Sequence, residues 1–357
     1  MKTVFRNKKI SGLLSVLPAT ITKFEDEINN YTFPPKQTLR LQKVMGYKQH
    51  AIVKDTTATS DLCIAGLEYI LENGWLKKED IGGIVVACTY PDFFMPAVSS
   101  IIHGKFDLSE EVYCVDISQG CVGFLMALNQ GFMLLEHIRD KKVIVFSADV
   151  LSKKVSKQDR NSFPLSGDAA GIAILENCEE CNPIYTVVYN NGGMGQALTI
   201  PAGGSRMPCN IETAKLCDND NDGNLRALDN LTMNGADVFT FVQTKVPPMI
   251  DEVIEFSKIS KDDIKFYLFH QPNKFMLKKL AEKIGIPYEK VPMNIVEEFG
   301  NSSGACIPVC ATYNVSDLLI NEIHKYCLAA FGSGLTWAAM VLDIGDLDFC
   351  EMLISDC

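Results

Sequence analysis

A cysteine lies where a strand pattern gives way to a helix pattern, a position that suits a nucleophile. Residues 112–117 predict a buried strand, Gly120 predicts a tight turn, and Cys121 opens an apolar helix that extends to about Ile138. The unpaired amides and the positive end of the helix dipole favour the thiolate, which is the nucleophilic form of cysteine. The alternative interpretation is a small buried core residue, which is how most free cysteines behave.

Three features in the second half of the chain match the needs of a reactive cysteine. His270 ends a predicted strand, Asn301 lies in a glycine-rich loop before a helix, and residues 332–334 form a Gly-Ser-Gly turn. Thioester chemistry requires a thiolate to take the acyl group, amides to hold the oxyanion, and neutral donors to stabilise a developing enolate. Taken singly, His270 indicates only a strand end and Asn301 only a loop. Together with Cys121 they predict one site at the carboxyl ends of strands.

The elements that position these residues alternate between strand and helix patterns. Consecutive apolar residues predict strands covered on both faces, and helical periodicity with capping residues predicts helices. Predicted strands cover 81–88, 112–117, 143–148, 172–176, 185–189, 197–201, 266–270, 326–331 and 337–342, and predicted helices begin at Ser60, Cys121, Gly235, Pro272 and residue 300. Pro247 and Pro248 predict an interruption of the Gly235 helix. The alternation predicts an α/β layer architecture.

Composition and charge narrow the class of protein. The 357 residues accommodate about two domains, and a polar stretch at 177–182 predicts a boundary between residues 1–177 and 178–357. The net charge of -11 argues against general binding of nucleic acid or anionic membranes. No apolar run reaches about 18 residues and no apolar signal segment follows Met1, so we expect a cytoplasmic protein without a membrane span.

The thirteen cysteines are expected to be reduced, because most of them lie in apolar runs. Cys178 and Cys181 have the spacing of a zinc or redox motif. A zinc site would need further ligands at matching spacing, and the flanking glutamates disfavour the thiolate that a redox motif requires. We therefore expect neither function from this pair.

The motifs around these residues resemble the 3-oxoacyl-[acyl-carrier-protein] synthase III family of the thiolase superfamily. They occur in family order at 116–124, 166–171, 231–233, 270–273, 300–303 and 331–337. The resemblance implies a duplicated five-layered αβαβα fold, a homodimer, and a catalytic triad of Cys121, His270 and Asn301. It also implies an oxyanion hole formed by the backbone N–H groups of Cys121 and Ser333, and a Met95 loop that reaches the acyl pocket of the partner subunit.

By the same resemblance, the protein is a condensing acyltransferase of fatty acid biosynthesis that needs no metal and no cofactor. Cys121 would accept an acyl group from acyl-CoA. His270 and Asn301 would then stabilise the enolate formed when a malonyl group on acyl carrier protein loses carbon dioxide, with Asn273 supporting His270 from behind. Two alternatives stay open: transfer of the acyl group to an alcohol or amine, and a catalytically silent partner subunit.

The substrate-binding residues depart from the family pattern. Relatives clamp the coenzyme A adenine between a tryptophan and arginines. Here Arg40 and Val44 stand at two of these positions, and Arg160 is kept. One arm of the nucleotide clamp is therefore altered. Met233 and Phe239 are expected to line the acyl pocket.

The carrier-protein dock also departs from the family. Phe275 stands where relatives have a basic residue on the helix after the His270 motif. Lys274, Lys278 and Lys279 lie within about one turn of that helix and are the candidates for docking an acidic carrier protein. A solvated helix face is the alternative.

Residues 218–229 fit a calcium-loop pattern, with Gly223 at the sixth place and Asp229 at the twelfth. Asp replaces the usual terminal Glu, and Arg226 brings a positive charge into the loop. Asp, Asn and Gly also make up ordinary solvated turns. A plain loop is therefore the favoured interpretation, with calcium binding as the alternative.

Overall fold

The structure is a computed structural model that describes residues 1–218 and 221–357. The strands are β1 (Lys2–Phe5), β2 (Lys8–Pro18), β3 (Ile21–Lys23), β4 (Gln49–Ala51), β5 (Ile81–Cys88), β6 (Tyr113–Ser118), β7 (Lys142–Asp149), β8 (Ala169–Asn177), β9 (Ile184–Asn190), β10 (Leu198–Thr199), β11 (Thr232–Met233), β12 (Ile264–Phe269), β13 (His324–Gly332), β14 (Thr336–Ile344) and β15 (Phe349–Ser355). The helices are α1 (Phe24–Glu27), α2 (Pro35–Met45), α3 (Thr59–Glu72), α4 (Val98–Lys105), α5 (Gly123–Leu135), α6 (Gly235–Ser257), α7 (Lys274–Ile284), α8 (Ile295–Glu298), α9 (Cys306–Asn314) and α10 (Ser316–Asn321).

Two mixed sheets repeat the same strand arrangement. Their orders are β15-β2-β8-β7-β5-β6 and β1-β9-β14-β13-β12. The run β2-β8-β7-β5 corresponds to β9-β14-β13-β12 in chain order. The directions match as well, because β5–β7 and β12–β13 are parallel while the other neighbours within each run are antiparallel. The fold is therefore duplicated, although the sequence shows no residue-level repeat.

The ends of the chain are exchanged between the sheets. Strand β1 pairs with β9 in the second sheet, and β15 pairs with β2 in the first. The boundary predicted after residue 177 falls between β8 and β9, and this division into domains stays a prediction.

Helices α5 and α9 lie between the two sheets, and further helices cover the outer faces. One core joins α5 and α9 to alternate residues of both sheets, such as Val85 and Leu328. The neighbouring residues Ile84 and Val86 point to the opposite face, where they pack with α3 and α4. On the second sheet, Cys327 and Ala329 pack with α6 and α7 in the same way. Strands buried on both faces explain the consecutive apolar residues, and the layers follow the expected αβαβα order.

Several local predictions need correction. Helix α6 passes through Pro247 and Pro248 without interruption, because apolar residues on both sides of the pair are held in the second-sheet core. Pro272 does not begin α7, since Asn273 caps that helix. Strand β6 is half-exposed instead of buried, because it is the last strand of its sheet. Helix α5 begins two residues after Cys121.

Cys178 and Cys181 form a disulfide in the connection between β8 and β9, contrary to the expectation of reduced cysteines. The other eleven cysteines are free. The two bonded cysteines are only three residues apart in sequence.

The calcium-loop prediction includes Asn219 and Asp220, which lie outside the described residues. Within the described part, Arg226 contacts Asp159 at 2.7 Å and Asp222 at 3.0 Å. A guanidinium thus pairs with a carboxylate that the pattern would offer to calcium. Over the described ranges, no cluster of three or more His, Cys, Asp or Glu side chains is arranged to hold a metal ion. Among the same residues, no helix has the length and apolarity needed to cross a membrane.

Candidate active site

One cavity of about 490 Å³ receives residues from both halves of the fold. Cys121 lines it from the first half, and His270, Asn301 and Ser333 line it from the second. The remaining lining is mostly apolar and includes Val44, Met45, Leu151, Val155, Leu165, Leu198, Ile200, Leu231, Met233, Val238, Phe239, Phe241, Val242, Phe275, Met276 and Leu335. Such a cavity suits an apolar ligand with one polar reacting group.

Cys121 sits in the turn between β6 and α5, against the end of β13. The backbone N–H groups of Cys121 and Ser333 lie close enough to its sulfur to lower the pKa of the thiol. Gly332 is required for this approach, because a Cβ atom there would lie 2.4 Å from Cys121 Cβ and 2.8 Å from Sγ. The two amides, one from each half of the fold, therefore meet beside the Cys121 sulfur.

The helix end does not make Cys121 a thiolate by itself. The pKa of Cys121 is raised to about 12, first by burial and then by the nearby Cys306 and Asp149, while the two backbone amides act in the opposite direction. Desolvation therefore outweighs the amides, contrary to the expectation of a thiolate favoured by the helix end. The thiol must give up its proton when it attacks.

His270 follows β12, and its backbone N–H donates to Ala329 at 2.8 Å. The ring is 2 % exposed and lies edge-on to Phe331 with 5.6 Å between ring centres. Burial lowers its pKa to about 4, while a backbone hydrogen bond with Ser303 acts in the opposite direction. The ring is therefore neutral near pH 7, and its Nδ1 has no hydrogen-bond partner among the described residues.

Asn301 is held by its side-chain oxygen. Its Oδ1 accepts hydrogen bonds from the Ser303 backbone N–H at 3.0 Å and the Cys306 thiol at 3.2 Å. Both groups are donors, so the oxygen must face them. The side-chain NH2 has no partner among the described residues, and it is the end available to a ligand in the cavity.

Two glycine loops, one from each half, fix the backbone of Asn301. Its N–H donates to Leu165, and Gly167 donates to its carbonyl, at 2.6 and 3.0 Å. A Cβ atom on Gly167 would lie 2.3 Å from the Phe299 carbonyl oxygen, and one on Gly300 would lie 2.4 Å from the Ser166 carbonyl oxygen. The motifs at 166–171 and 300–303 are therefore two sides of one contact.

Asp149 is a residue of this site that the sequence analysis missed. It ends β7, and its carboxylate accepts the backbone N–H groups of Thr89 and Tyr90 and the Thr89 hydroxyl, at 2.7, 3.1 and 3.2 Å. A Cβ atom on Gly120 would lie 2.4 Å from Thr89 Oγ1, so this cluster forms the floor beneath the turn before Cys121. Burial raises the pKa of Asp149 to about 6. An aspartate at the end of a buried strand was the only signal.

The predicted substrate residues fall into two groups. Met233 and Phe239 line the cavity. Arg160 does not, because its guanidinium stacks on the Phe33 ring at 3.4 Å. Met95 is 84 % exposed and does not enter the Cys121 cavity of its own chain.

Helix α7 carries the remaining predicted residues. Asn273 Oδ1 accepts the Met276 N–H at 2.8 Å, so its side chain caps the helix and makes no hydrogen bond to His270. Lys274 pairs with Glu297 at 3.0 Å. Lys278 is exposed. Phe275 stacks on Phe239 with 5.8 Å between ring centres, at the wall of the cavity.

Comparison with known proteins agrees with this geometry. The chain matches two family models, 3-oxoacyl-[acyl-carrier-protein] synthase III over residues 115–193 and the C-terminal model of the same family over residues 254–344. It is 30 % identical to a putative 3-oxoacyl-[acyl-carrier-protein] synthase 3 of Campylobacter jejuni over 99 % of each chain. It is 31 % identical to the β-ketoacyl-[acyl-carrier-protein] synthase III of Clostridium beijerinckii, over 94 % of this chain and 99 % of that protein.

A solved structure resembles the whole chain. A 3-oxoacyl-(acyl-carrier protein) synthase from Burkholderia xenovorans superimposes with a TM-score of 0.92, at 27 % identity and over 99 % of each chain. The chain therefore belongs to the 3-oxoacyl-[acyl-carrier-protein] synthase III family, whose members are acyltransferases with the thiolase fold.

Proposed function

We propose that Cys121, His270 and Asn301 catalyse acyl loading and decarboxylative condensation in the one cavity they share. In the first half-reaction, the Cys121 sulfur attacks the carbonyl of an acyl thioester. The backbone N–H groups of Cys121 and Ser333 stabilise the resulting oxyanion. The thiol proton passes to the departing thiolate, which leaves an acyl group on Cys121 and a free thiol in solution.

In the second half-reaction, a malonyl thioester loses carbon dioxide beside the acylated cysteine. His270 and the Asn301 NH2 group donate hydrogen bonds to the thioester oxygen as it becomes an enolate oxygen. The enolate carbon attacks the acyl carbonyl, the bond to Cys121 breaks, and a 3-oxoacyl thioester leaves. The Cys121 thiolate that is released then takes a proton from water.

The observation that carries this proposal is the combination of a neutral imidazole and an oriented amide at one cavity. An imidazole with a pKa near 4 is not protonated at neutral pH, so it serves as a neutral donor to a developing enolate. The oxygen of Asn301 is occupied by Ser303 and Cys306, which leaves its NH2 for the substrate. Cys121 faces the same space.

The proposed substrates are supported by the names of the relatives, and their proposed contacts by the residues that line the cavity. Acyl-CoA is the proposed acyl donor, and acyl carrier protein, which the names of both relatives include, is the proposed carrier of the malonyl group. Met233 and Phe239 would contact the acyl or thioester arm. Lys274 and Lys278 would dock the carrier on α7. Arg160 would reach a nucleotide only after leaving Phe33, against which it is stacked.

A homodimer is supported by two exposed features of the first half. Phe93, Phe94 and Met95 are 60, 90 and 84 % exposed in one loop. Strand β6 also ends its sheet with an unpaired edge. Large apolar side chains and an open strand edge are features that a partner subunit covers. In the proposed dimer, Met95 enters the acyl pocket of the partner.

The decisive experiment separates the two half-reactions. Intact-mass spectrometry after incubation with a panel of acyl thioesters should show one acyl adduct on wild type and none on Cys121→Ala. His270→Ala and Asn301→Ala should still form the adduct. They should release carbon dioxide from a malonyl thioester about 100-fold to 1,000-fold more slowly.

Each alternative has its own signature in the same assay. Acylation of an added alcohol or amine without carbon dioxide release would indicate acyl transfer in place of condensation. A wild-type Cys121 that accepts no acyl group from any thioester in the panel would indicate a silent partner subunit. Full carbon dioxide release by both His270→Ala and Asn301→Ala would overturn the roles assigned to the second half.

A further inference from the structure

A second cysteine, Cys306, contacts the side chain of Asn301. Cys306 is the first residue of α9 and is fully buried. Its sulfur lies 3.2 Å from Asn301 Oδ1, and the Ser302 hydroxyl donates to that sulfur at 3.8 Å. Burial raises the pKa of the Cys306 thiol to about 11, so the group is a protonated donor at neutral pH.

The orientation of the Asn301 amide depends on its donors. The carboxamide of an asparagine can rotate about its Cβ–Cγ bond so that its oxygen and its NH2 exchange places with little change in shape. The Ser303 N–H and the Cys306 thiol both require the oxygen, so together they oppose that rotation. With the thiol removed, only the Ser303 amide selects the orientation.

We propose that Cys306 is a positioning residue that holds the Asn301 amide with its NH2 toward the substrate. This inference rests on the proposed role of Asn301 in stabilising the enolate. Cys306 itself does not touch the reacting atoms. Its effect should therefore appear in decarboxylation and condensation, which need Asn301, and not in acyl loading of Cys121, which does not.

Cys310 provides a matched control one turn further along α9. It is equally buried and free, but its sulfur contacts Gln271 and Asn314, at 3.8 and 3.9 Å, and not Asn301. A Cys310→Ala variant removes the same atom from the same helix. It reports the general cost of truncating a core cysteine there.

The experiment compares Cys306→Ala, Cys306→Ser and Cys310→Ala in loading and in carbon dioxide release. Cys306→Ala should lower kcat for condensation about 10-fold with KM and the loading rate unchanged, because one hydrogen bond that orients the amide is lost. Cys306→Ser retains a donor and should recover most of that loss. Cys310→Ala should leave both half-reactions at the wild-type rate.

A double variant distinguishes this inference from the proposed function. In an Asn301→Ala background, Cys306→Ala should cause no further loss, because the amide it positions is absent. Equal losses in Cys306→Ala and Cys306→Ser, equal losses in loading and condensation, or a further 10-fold loss in the double variant would each overturn the positioning role. Unchanged condensation in Asn301→Ala alone would instead refute the function assigned to Asn301.

Discussion

Corresponding strands of the two halves end in different chemistry. Strands β5 and β12 occupy equivalent places in their sheets, and Thr89 follows the first as His270 follows the second. The N–H and hydroxyl of Thr89 are both bound by Asp149. Thr89 and His270 both line the cavity, but Nδ1 of the His270 ring has no hydrogen-bond partner among the described residues. The polar groups of Thr89 are therefore held by Asp149, whereas one ring nitrogen of His270 is left unpaired within the described residues.

The difference shows how a duplicated fold divides its tasks. In the first half, Asp149 and Thr89 support the turn that holds Cys121. In the second half, His270 and Asn301 line the cavity, where the proposed mechanism uses them as hydrogen-bond donors. The proposed catalysis depends on the contacts that bring the two halves together, and variants at those contacts test the comparison directly.

The largest effect is expected at Gly332, where the second half touches the nucleophile. Gly332→Ala places a methyl group within 2.8 Å of Cys121 Sγ, which must shift the thiol or the Ser333 amide. We expect a loss of at least about 1,000-fold in acyl loading, measured by intact mass over time. Gly104→Ala is the control, because a Cβ atom there meets nothing within 4 Å. Wild-type loading by Gly332→Ala would contradict the observed contact.

A smaller and more selective effect is expected at Gly300, where the loops of the two halves meet. Gly300 has a φ of +82°, and a Cβ atom there would lie 2.4 Å from the Ser166 carbonyl oxygen. Gly300→Ala should displace Asn301 and lower carbon dioxide release about 100-fold, with a smaller effect on loading.

Gly285 is the control for Gly300, because a substitution there causes backbone strain without a steric clash. It has a φ of +77°, but a Cβ atom there meets nothing within 4 Å. Gly285→Ala should therefore destabilise the fold by about 1 kcal/mol and leave both half-reactions intact. Equal losses of activity in the two variants would show that strain alone, and not the meeting of the halves, explains Gly300.

The sequence predicts this comparison only in part. Strand β5 is predicted with its observed bounds because both of its faces are apolar. Cys121, His270 and Asn301 each follow or precede a regular element, so their shared edge follows from the α/β alternation. The prediction that Pro247 and Pro248 interrupt α6 was wrong, because apolar residues before and after them pack in the second-sheet core and keep the helix continuous.

The supporting residues could not be predicted, because their partners are distant in sequence or hidden in an apolar run. Asp149 binds the backbone of Thr89, 60 residues away. Arg160 stacks on Phe33, from another part of the first half. Cys306 is only five residues from Asn301, but its surroundings indicate an ordinary buried helix.

Asp149, which binds Thr89 at the end of β5, and His270, at the end of β12, should also differ in the sign of their pH dependence. Burial raises the pKa of Asp149 from 3.8 to about 6, so its contribution to stability is present below pH 3.8 and is lost as the pH rises to about 6. Burial lowers the pKa of His270 from 6.5 to about 4, so its contribution is present above pH 6.5 and is lost as the pH falls to about 4. Each change amounts to about 3 kcal/mol in the free energy of unfolding.

Denaturant unfolding at a series of pH values measures these slopes. The stability difference between wild type and Asp149→Asn should shift against the wild type as the pH rises from about 4 to 6. The difference between wild type and His270→Gln should shift in favour of the wild type over the same range. Slopes of the same sign in both comparisons would show that the two strand ends are not electrostatically distinct.

The smallest effect is expected from docking of the acyl carrier protein. The test is whether the carrier binds to the second half, which also contains His270 and Asn301. Lys274 and Lys278 lie on α7, beside the cavity wall formed by Phe275. Reversing both to Glu should raise KM for an acidic acyl carrier protein about 10-fold at low salt, with acyl loading from coenzyme A thioesters unchanged. Added salt should shrink the difference, because exposed charges are screened.

A control variant with the same net charge tests whether the position of the reversed lysines on α7 matters. Lys245 on α6 and Lys265 on β12 are exposed, and Lys265 lies near the start of the strand whose far end carries His270. The double variant Lys245→Glu/Lys265→Glu makes the chain as acidic as the α7 variant does, but away from the cavity wall at Phe275. It should leave KM within about twofold of wild type. Equal increases in KM would show that overall charge governs carrier binding, and α7 would then be a solvated face with no docking role.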